Sequence, residues 1–126
     1  MKALKIPAAV LIFLLLISLA DAFLLTRQCT CWTGYLDETE RHAMQEDWKQ
    51  AQHAVRKLRD SWDSWQTYLH ILIDHNEIDH GEELLSLCEL HIEEKDTAAL
   101  RVTVSQLRNQ FSLLAETEQL NIKNVL

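Results

Sequence analysis

Glycine and proline are scarce in this chain, with two glycines and one proline among 126 residues. Turn-rich β architectures need many such residues at their turns, so their scarcity favours helices joined by few connections. The chain has no internal repeat and no low-complexity segment. Its length suits one domain plus a targeting segment. The sequence therefore predicts an all-α protein.

Positive charge is also scarce, because 12 Lys and Arg stand against 19 Asp and Glu, a formal net charge of −7. Beyond Gln28 the imbalance grows to nine basic residues against 18 acidic ones. An acidic surface repels nucleic acid, and no basic stripe with interleaved aromatic residues interrupts it. We expect no nucleic-acid partner.

The sequence lacks the common motifs of catalysis. It contains no H-E-x-x-H zinc motif, no nucleophile elbow and no glycine-rich phosphate loop. The four tryptophans fall at helical spacing, which is more typical of core or partner-facing anchors than of a cofactor site. We therefore predict no enzyme activity, no catalytic residues and no cofactor.

The amino-terminal segment carries the long apolar run. Lys2 and Lys5 precede a run that begins at Ile6 and ends at Thr26, with Asp21 as its one charged residue. These 21 residues would span about 31 Å as a helix, close to the hydrocarbon thickness of a bilayer. We predict a single-pass transmembrane signal anchor over residues 1–27, with a cytoplasmic amino terminus and an extracytoplasmic remainder.

A cleaved signal peptide is the alternative for the same segment. Ala20-Asp21-Ala22 resembles an A-x-A cleavage site, and cleavage near Ala22 would release a secreted protein. Phe23 and Leu24 continue the apolar run past that site, which favours the uncleaved anchor. Both interpretations export the rest of the chain.

Residues 28–35 are predicted to form a membrane-proximal linker that contains Cys29 and Cys31. Disulfides persist outside the cytoplasm, so these cysteines are either exposed thiols or form an interchain disulfide. Cys88 lies on an apolar helical stripe and is expected to behave as a small core residue.

In the remainder of the chain, residues 36–126, apolar residues recur at helical spacing. Apolar residues alternate at steps of four and three in a heptad seam, which predicts one long helix over residues 36–73. The seam consists of Met44, Trp48, Ala51, Val55, Leu58, Trp62, Trp65, Leu69 and Leu72. A new stripe follows from Ile78, and Asp96 is a suitable N-cap for a third helix. Short connections then predict an antiparallel three-helix bundle with one long helix.

The predicted helix lengths leave part of the seam uncovered. The long helix would measure about 57 Å, whereas the second and third would measure about 26 Å and 35 Å. Met44, Trp48 and Ala51 would then lack an intrachain partner. A second copy of the chain or another envelope protein would cover these three partner-facing candidates.

A cluster of histidines and acids interrupts the pattern after Leu72. His70, Asp74, His75 and Asp79 have the four-residue spacing of helical metal ligands. Asp74 and Asp79 are equally suited to cap a new helix, since each has an acid three residues further on. The helix boundary is the favoured interpretation, and we predict no metal. The alternative is a metal-binding sensor or hydrolase that uses these four residues.

Several short features together resemble the domain of unknown function 4363 family. They are the apolar anchor, the tryptophan-bearing helix, "HNEID" at His75 to Asp79, and the terminal "LNIKNVL". The resemblance covers nearly the whole chain and implies a small, membrane-anchored, helical bacterial protein. It implies no activity and no functional residues. The sequence thus predicts a non-enzymatic binding or scaffolding protein of the cell envelope.

Overall fold

The computed structural model describes the backbone of residues 2–125 and the side chains of residues 2–117. This part of the chain is all-α, as predicted, with five helices and no strand. The helices are α1 Lys2–Met44, α2 Trp48–Ser64, α3 Gln66–Leu72, α4 His75–Glu93 and α5 Thr97–Val125.

Helix α1 has two parts with different surroundings. Its amino-terminal part is exposed and apolar, with a mean hydropathy of 2.7 over its most apolar 18-residue window, and α1 is the one described helix that qualifies by length and composition to cross a membrane. A signal sequence would meet the same criteria. From Ala22 onward α1 is buried at regular steps of three and four residues, which makes it part of the domain. Those buried residues are Ala22, Leu25, Cys29, Trp32, Leu36, Thr39 and Ala43.

The predicted linker at residues 28–35 is therefore wrong. This stretch is helical and carries the buried side chains of Cys29 and Trp32. Gly34 does not interrupt α1, although glycine in a helix interior costs about 1 kcal/mol relative to alanine. Burial of one face of α1 outweighs that cost, because packing contributes more to helix stability than intrinsic propensity does.

The predicted long helix over residues 36–73 is also wrong, because a turn separates α1 from α2. Glu46 adopts the left-handed conformation with φ of 58°. The Asp47 N–H donates to the His42 carbonyl at 2.9 Å, and the Asp47 carboxylate accepts the Gln50 N–H at 3.3 Å. The heptad spacing happens to continue through this turn, since Met44 and Trp48 are four residues apart. The spacing of apolar residues therefore gave no sign of the turn between α1 and α2.

The second hairpin repeats the same turn. Lys95 has φ of 56°, and the Asp96 N–H donates to the His91 carbonyl at 2.9 Å. The Asp96 carboxylate then accepts the Ala99 N–H at 3.1 Å, which confirms the predicted N-cap. In both turns an aspartate ends one helix and caps the next, so the chain reverses without glycine. We call the end of the bundle that carries these two turns the distal end.

The four longer helices run up, down, up and down. Antiparallel packing of α1 on α2 is fixed by Gln28, which donates to Ser61 at 2.8 Å, and by Lys57, which lies 3.8 Å from Glu38. Packing of α1 on α5 places Arg108 at 2.5 Å from Asp37. The predicted three-helix bundle lacked one member, which is the second half of α1.

Aromatic residues from three helices meet in the core. Trp32 of α1 lies 5.3 Å from Trp62 of α2 and 5.2 Å from Phe111 of α5, measured between ring centroids. All three side chains are fully buried, and Trp32 Nε1 donates to the Ser61 hydroxyl at 2.9 Å. Trp65, which the seam placed in the core, is only half-buried.

Replacing Trp32 with alanine should cost about 3–5 kcal/mol in the free energy of unfolding, because it leaves a large cavity between three helices. Trp48→Ala is the matched control, since Trp48 is only half-buried at the distal end. Urea unfolding in detergent, followed by circular dichroism, measures both. Equal losses for the two variants would contradict the central role of Trp32.

Candidate partner-binding groove

Helices α2 and α4 pack closely where Trp62 meets Gly81. A Cβ atom added to Gly81 would lie 2.8 Å from Trp62 Cη2, closer than real Cβ contacts allow. Trp62 Nε1 also donates to the Glu82 carboxylate at 2.7 Å. The absence of a side chain at Gly81 therefore sets the close spacing of the two helices at this level.

Arg59 of α2 forms polar contacts with α4 nearer the distal end. Its guanidinium forms ion pairs with Glu82 and Glu89 of α4 and donates to the Ser86 hydroxyl at 3.1 Å. Partial burial lowers the pKa of Arg59, but the hydrogen bonds to Glu89 and Glu82 raise it more, so the net direction is upward. Arg59 thus remains charged and is engaged by α4.

Beyond Arg59 a groove of about 760 Å³ lies between α2 and α4. Val55 and Ile92, both buried, contribute to its lining, and half-buried Trp48 lines it near the start of α2. This combination of an aromatic residue and aliphatic side chains in a concave surface is common at sites that bind polypeptides or other partly apolar ligands.

Both signs of charge occur along the groove. The cations are Lys49, Arg56, Arg59 and Lys95, and the acids are Asp60, Glu89 and Glu93. No single sign predominates, so the groove does not favour a polyanion. A polar rim of mixed charge around a less polar centre is instead the composition of protein interfaces.

The three partner-facing candidates have different positions. Trp48 lines the groove, and Met44 is 56% exposed at the end of α1. Ala51 is fully buried, so its predicted role at a partner interface is wrong. The reason is that the end of α1 packs on this part of α2, whereas the predicted long helix placed both on one continuous helix.

The histidine and acid cluster forms a helix boundary. Asp74 is the N-cap of α4, and its carboxylate accepts the Asn76 N–H at 3.3 Å. His70 and His75 meet across this boundary, with 3.2 Å between their Nδ1 atoms. Asp79 lies inside α4 and is exposed. Across the described residues, no three His, Cys, Asp or Glu side chains are grouped to hold a metal.

Asp74→Ala should lower the free energy of unfolding by about 1 kcal/mol through loss of the cap. Asp79→Ala is the matched control, because Asp79 is an exposed acid inside the same helix and caps nothing. Thermal unfolding of the two variants distinguishes them. A larger loss for Asp79→Ala would show that the boundary is misplaced.

The three cysteines are free and have different surroundings. Cys29 and Cys88 are buried, and burial raises the pKa of each thiol to about 12. This confirms Cys88 as a core residue. Cys31 is exposed on the other side of α1 from Cys29. The predicted interchain disulfide is therefore open to Cys31 only, since Cys29 faces the bundle core.

A maleimide should label Cys31 in the folded protein and should reach Cys29 and Cys88 only after unfolding, because buried neutral thiols react poorly. Mass spectrometry of labelled peptides measures this difference. Cys31→Ser is the control and should leave the native protein unlabelled. Rapid native labelling of Cys29 would contradict its burial.

Sequence reasoning missed the Arg59 ion pairs. Glu82, Ser86 and Glu89 are spaced by four and three residues, so they share one face of α4. That polar face was visible in the sequence. Its partner on α2 was not, because the long-helix prediction gave no position for α4 relative to Arg59.

These features define an all-helical protein in which one apolar helix continues into a bundle. A family model described as "Domain of unknown function (DUF4363)" matches residues 22–125, and the chain belongs to that family. The match starts at Ala22, where α1 first becomes buried. No curated protein and no solved structure matches the chain.

Proposed function

We propose that this protein is a non-enzymatic binding or scaffolding component of the cell envelope, anchored by the first part of α1. The observation that carries the proposal is the continuity of α1, which passes from an exposed apolar segment into the bundle core without a break. A bundle joined in this way is held at the membrane in a fixed orientation rather than on a flexible linker.

Exposed apolar side chains support the membrane anchor. Leu4, Ile6, Phe13 and Leu16 each expose more than half of their surface, and the intervening residues are also mostly exposed. Burial of a large aliphatic side chain is worth about 1.5–3 kcal/mol, so a lipid environment stabilises this segment strongly. Lys2 and Lys5 before it favour a cytoplasmic amino terminus.

The contacts at the predicted cleavage site support an uncleaved anchor. Ala22 and Leu25 are buried in the bundle, and the Tyr68 hydroxyl donates to the Asp21 carboxylate at 2.5 Å. Cleavage near Ala22 requires an extended substrate, whereas this site is helical and packed. Cleavage would also separate Asp21 from the bundle and so break its hydrogen bond with Tyr68.

The groove between α2 and α4 supports a binding role. The guanidinium of Arg59 is already paired with acids of α4, so it is not available to a partner. The surface available for binding is provided by Trp48 and the charged residues of the rim. A large aromatic side chain in a concave, mixed-charge surface is a typical anchor for a protein partner. We infer a helical segment as the partner, from another envelope protein or from a second copy.

Topology is tested on right-side-out membrane vesicles with a membrane-impermeant maleimide. Cys31, which is exposed just beyond the apolar segment, should be labelled without lysis, and Cys31→Ser should abolish the signal. Labelling that requires lysis would reverse the proposed orientation. Recovery of a chain that begins near Phe23 would establish the secreted alternative.

The binding role is tested by photo-crosslinking in native membranes. A photoreactive amino acid at Gln52, which lines the groove, should form a discrete adduct, whereas one at exposed Val102 on α5 should not. Trp48→Ala should weaken the Gln52 adduct several-fold while the fold persists. An adduct of twice the chain mass identifies a second copy. Adducts that are equal at both positions, or insensitive to Trp48→Ala, would exclude the groove as the binding surface.

A further inference from the structure

Helix α3 meets α1 at the carboxyl end of its apolar part, through Tyr68 and Asp21. The Leu69 N–H donates to the Trp65 carbonyl at 2.8 Å, so α3 continues the downward course of α2 after a one-residue interruption. The Tyr68–Asp21 hydrogen bond fixes its level against α1. If α3 keeps this course, Leu72 lies four residues beyond Tyr68, about 6 Å lower and near the level of Ile17.

The exposed surface of α3 carries one large apolar side chain, Ile71, beside the polar Thr67 and His70. Leu69 is fully buried, but Ile71 is 77% exposed. At neighbouring levels of α1, Leu19 and Phe23 are 44% and 66% exposed. A single exposed isoleucine needs no explanation, but this one continues an apolar surface that already requires lipid.

The length of the anchor decides where the bilayer surface lies. Counted from Lys2, whose long side chain can reach the opposite headgroups, α1 up to residue 20 measures about 28 Å, which matches the hydrocarbon core of about 30 Å. If the whole of α3 stayed in water, lipid would cover α1 only to residue 16, or about 22 Å. That span is too short, so part of α3 must enter the bilayer interface.

The side chains at this level suit the interface. Trp65 and Tyr68 pack edge-to-face with ring centroids 5.0 Å apart, and Tyr68 bonds Asp21. Tryptophan and tyrosine are enriched where hydrocarbon meets water. The nearby start of α4 carries the acids Asp74 and Glu77, so attraction to anionic headgroups does not drive this contact.

We propose that α3 is a second membrane contact, lying in the headgroup region with Ile71 directed into lipid. The contact rests on the proposed anchor, and it seats the bundle on the bilayer instead of holding it above the surface. Its partner is the interface of a zwitterionic bilayer, bound through apolar insertion. The groove then lies at the end of the bundle away from the membrane.

The test measures the depth of residue 71 in the full-length protein. Ile71→Cys in a Cys31→Ser background gives one accessible thiol, because Cys29 and Cys88 are buried. An environment-sensitive fluorophore on this thiol is read in phosphatidylcholine vesicles that contain nitroxide lipids, with the nitroxide either near the headgroup or deep in the chain. Matched labels at Ile12→Cys in the anchor and Gln52→Cys in the groove give the two reference depths.

We expect shallow nitroxides to quench the label at residue 71 several-fold more than the label at residue 52, and deep nitroxides to quench mainly the label at residue 12. A label at residue 71 that matches residue 52, while residue 12 is quenched, would overturn the α3 contact and leave the anchor intact. No quenching at residue 12 would overturn both. Thr67→Cys, an exposed site one turn earlier on α3, gives the same reading if Ile71→Cys does not fold.

Discussion

Burial of Trp32 is the interaction on which the rest of the structure depends. Its ring contacts Trp62 and Phe111, and its indole N–H is satisfied by Ser61, so one side chain of α1 fixes the positions of α2 and α5. Because Trp32 follows the apolar segment on the same helix, the contacts that stabilise the core also fix how the bundle is oriented on α1. The fold of the bundle and the placement of the apolar segment are therefore determined by the same contacts.

The sequence predicted the helical class, the cap at Asp96, a cap at either Asp74 or Asp79, and the register change after Leu72 because these depend on local chemistry. It did not predict the turn at Glu46, since a left-handed glutamate gives no signal comparable to glycine and the apolar spacing continues through it. It also missed the buried face of α1. The hydrophobicity expected of a membrane segment hid Ala22 and Leu25 as bundle residues, and the predicted linker hid Cys29 and Trp32.

The candidate site was predicted only in part, for the same reason. Trp48 was identified from its place on a seam, and it does line the groove. The groove itself depends on how α4 lies against α2, which is a tertiary property. For the histidine cluster, local chemistry was sufficient to predict the helix boundary: the Asp74 carboxylate caps α4, and His70 and His75 meet across that boundary.

The shape of the groove follows from the sizes of a few side chains along α2 and α4. At Gly81 the helices approach until Trp62 fills the space, and a methyl group there would force them apart. Nearer the distal end, Arg59 spans the gap with ion pairs to Glu82 and Glu89. Beyond it Trp48 and Lys95 line the groove between the two helices. The contacts at Gly81 and Arg59 therefore hold α2 and α4 together, and the groove extends from them toward the end of the bundle farthest from the exposed apolar part of α1.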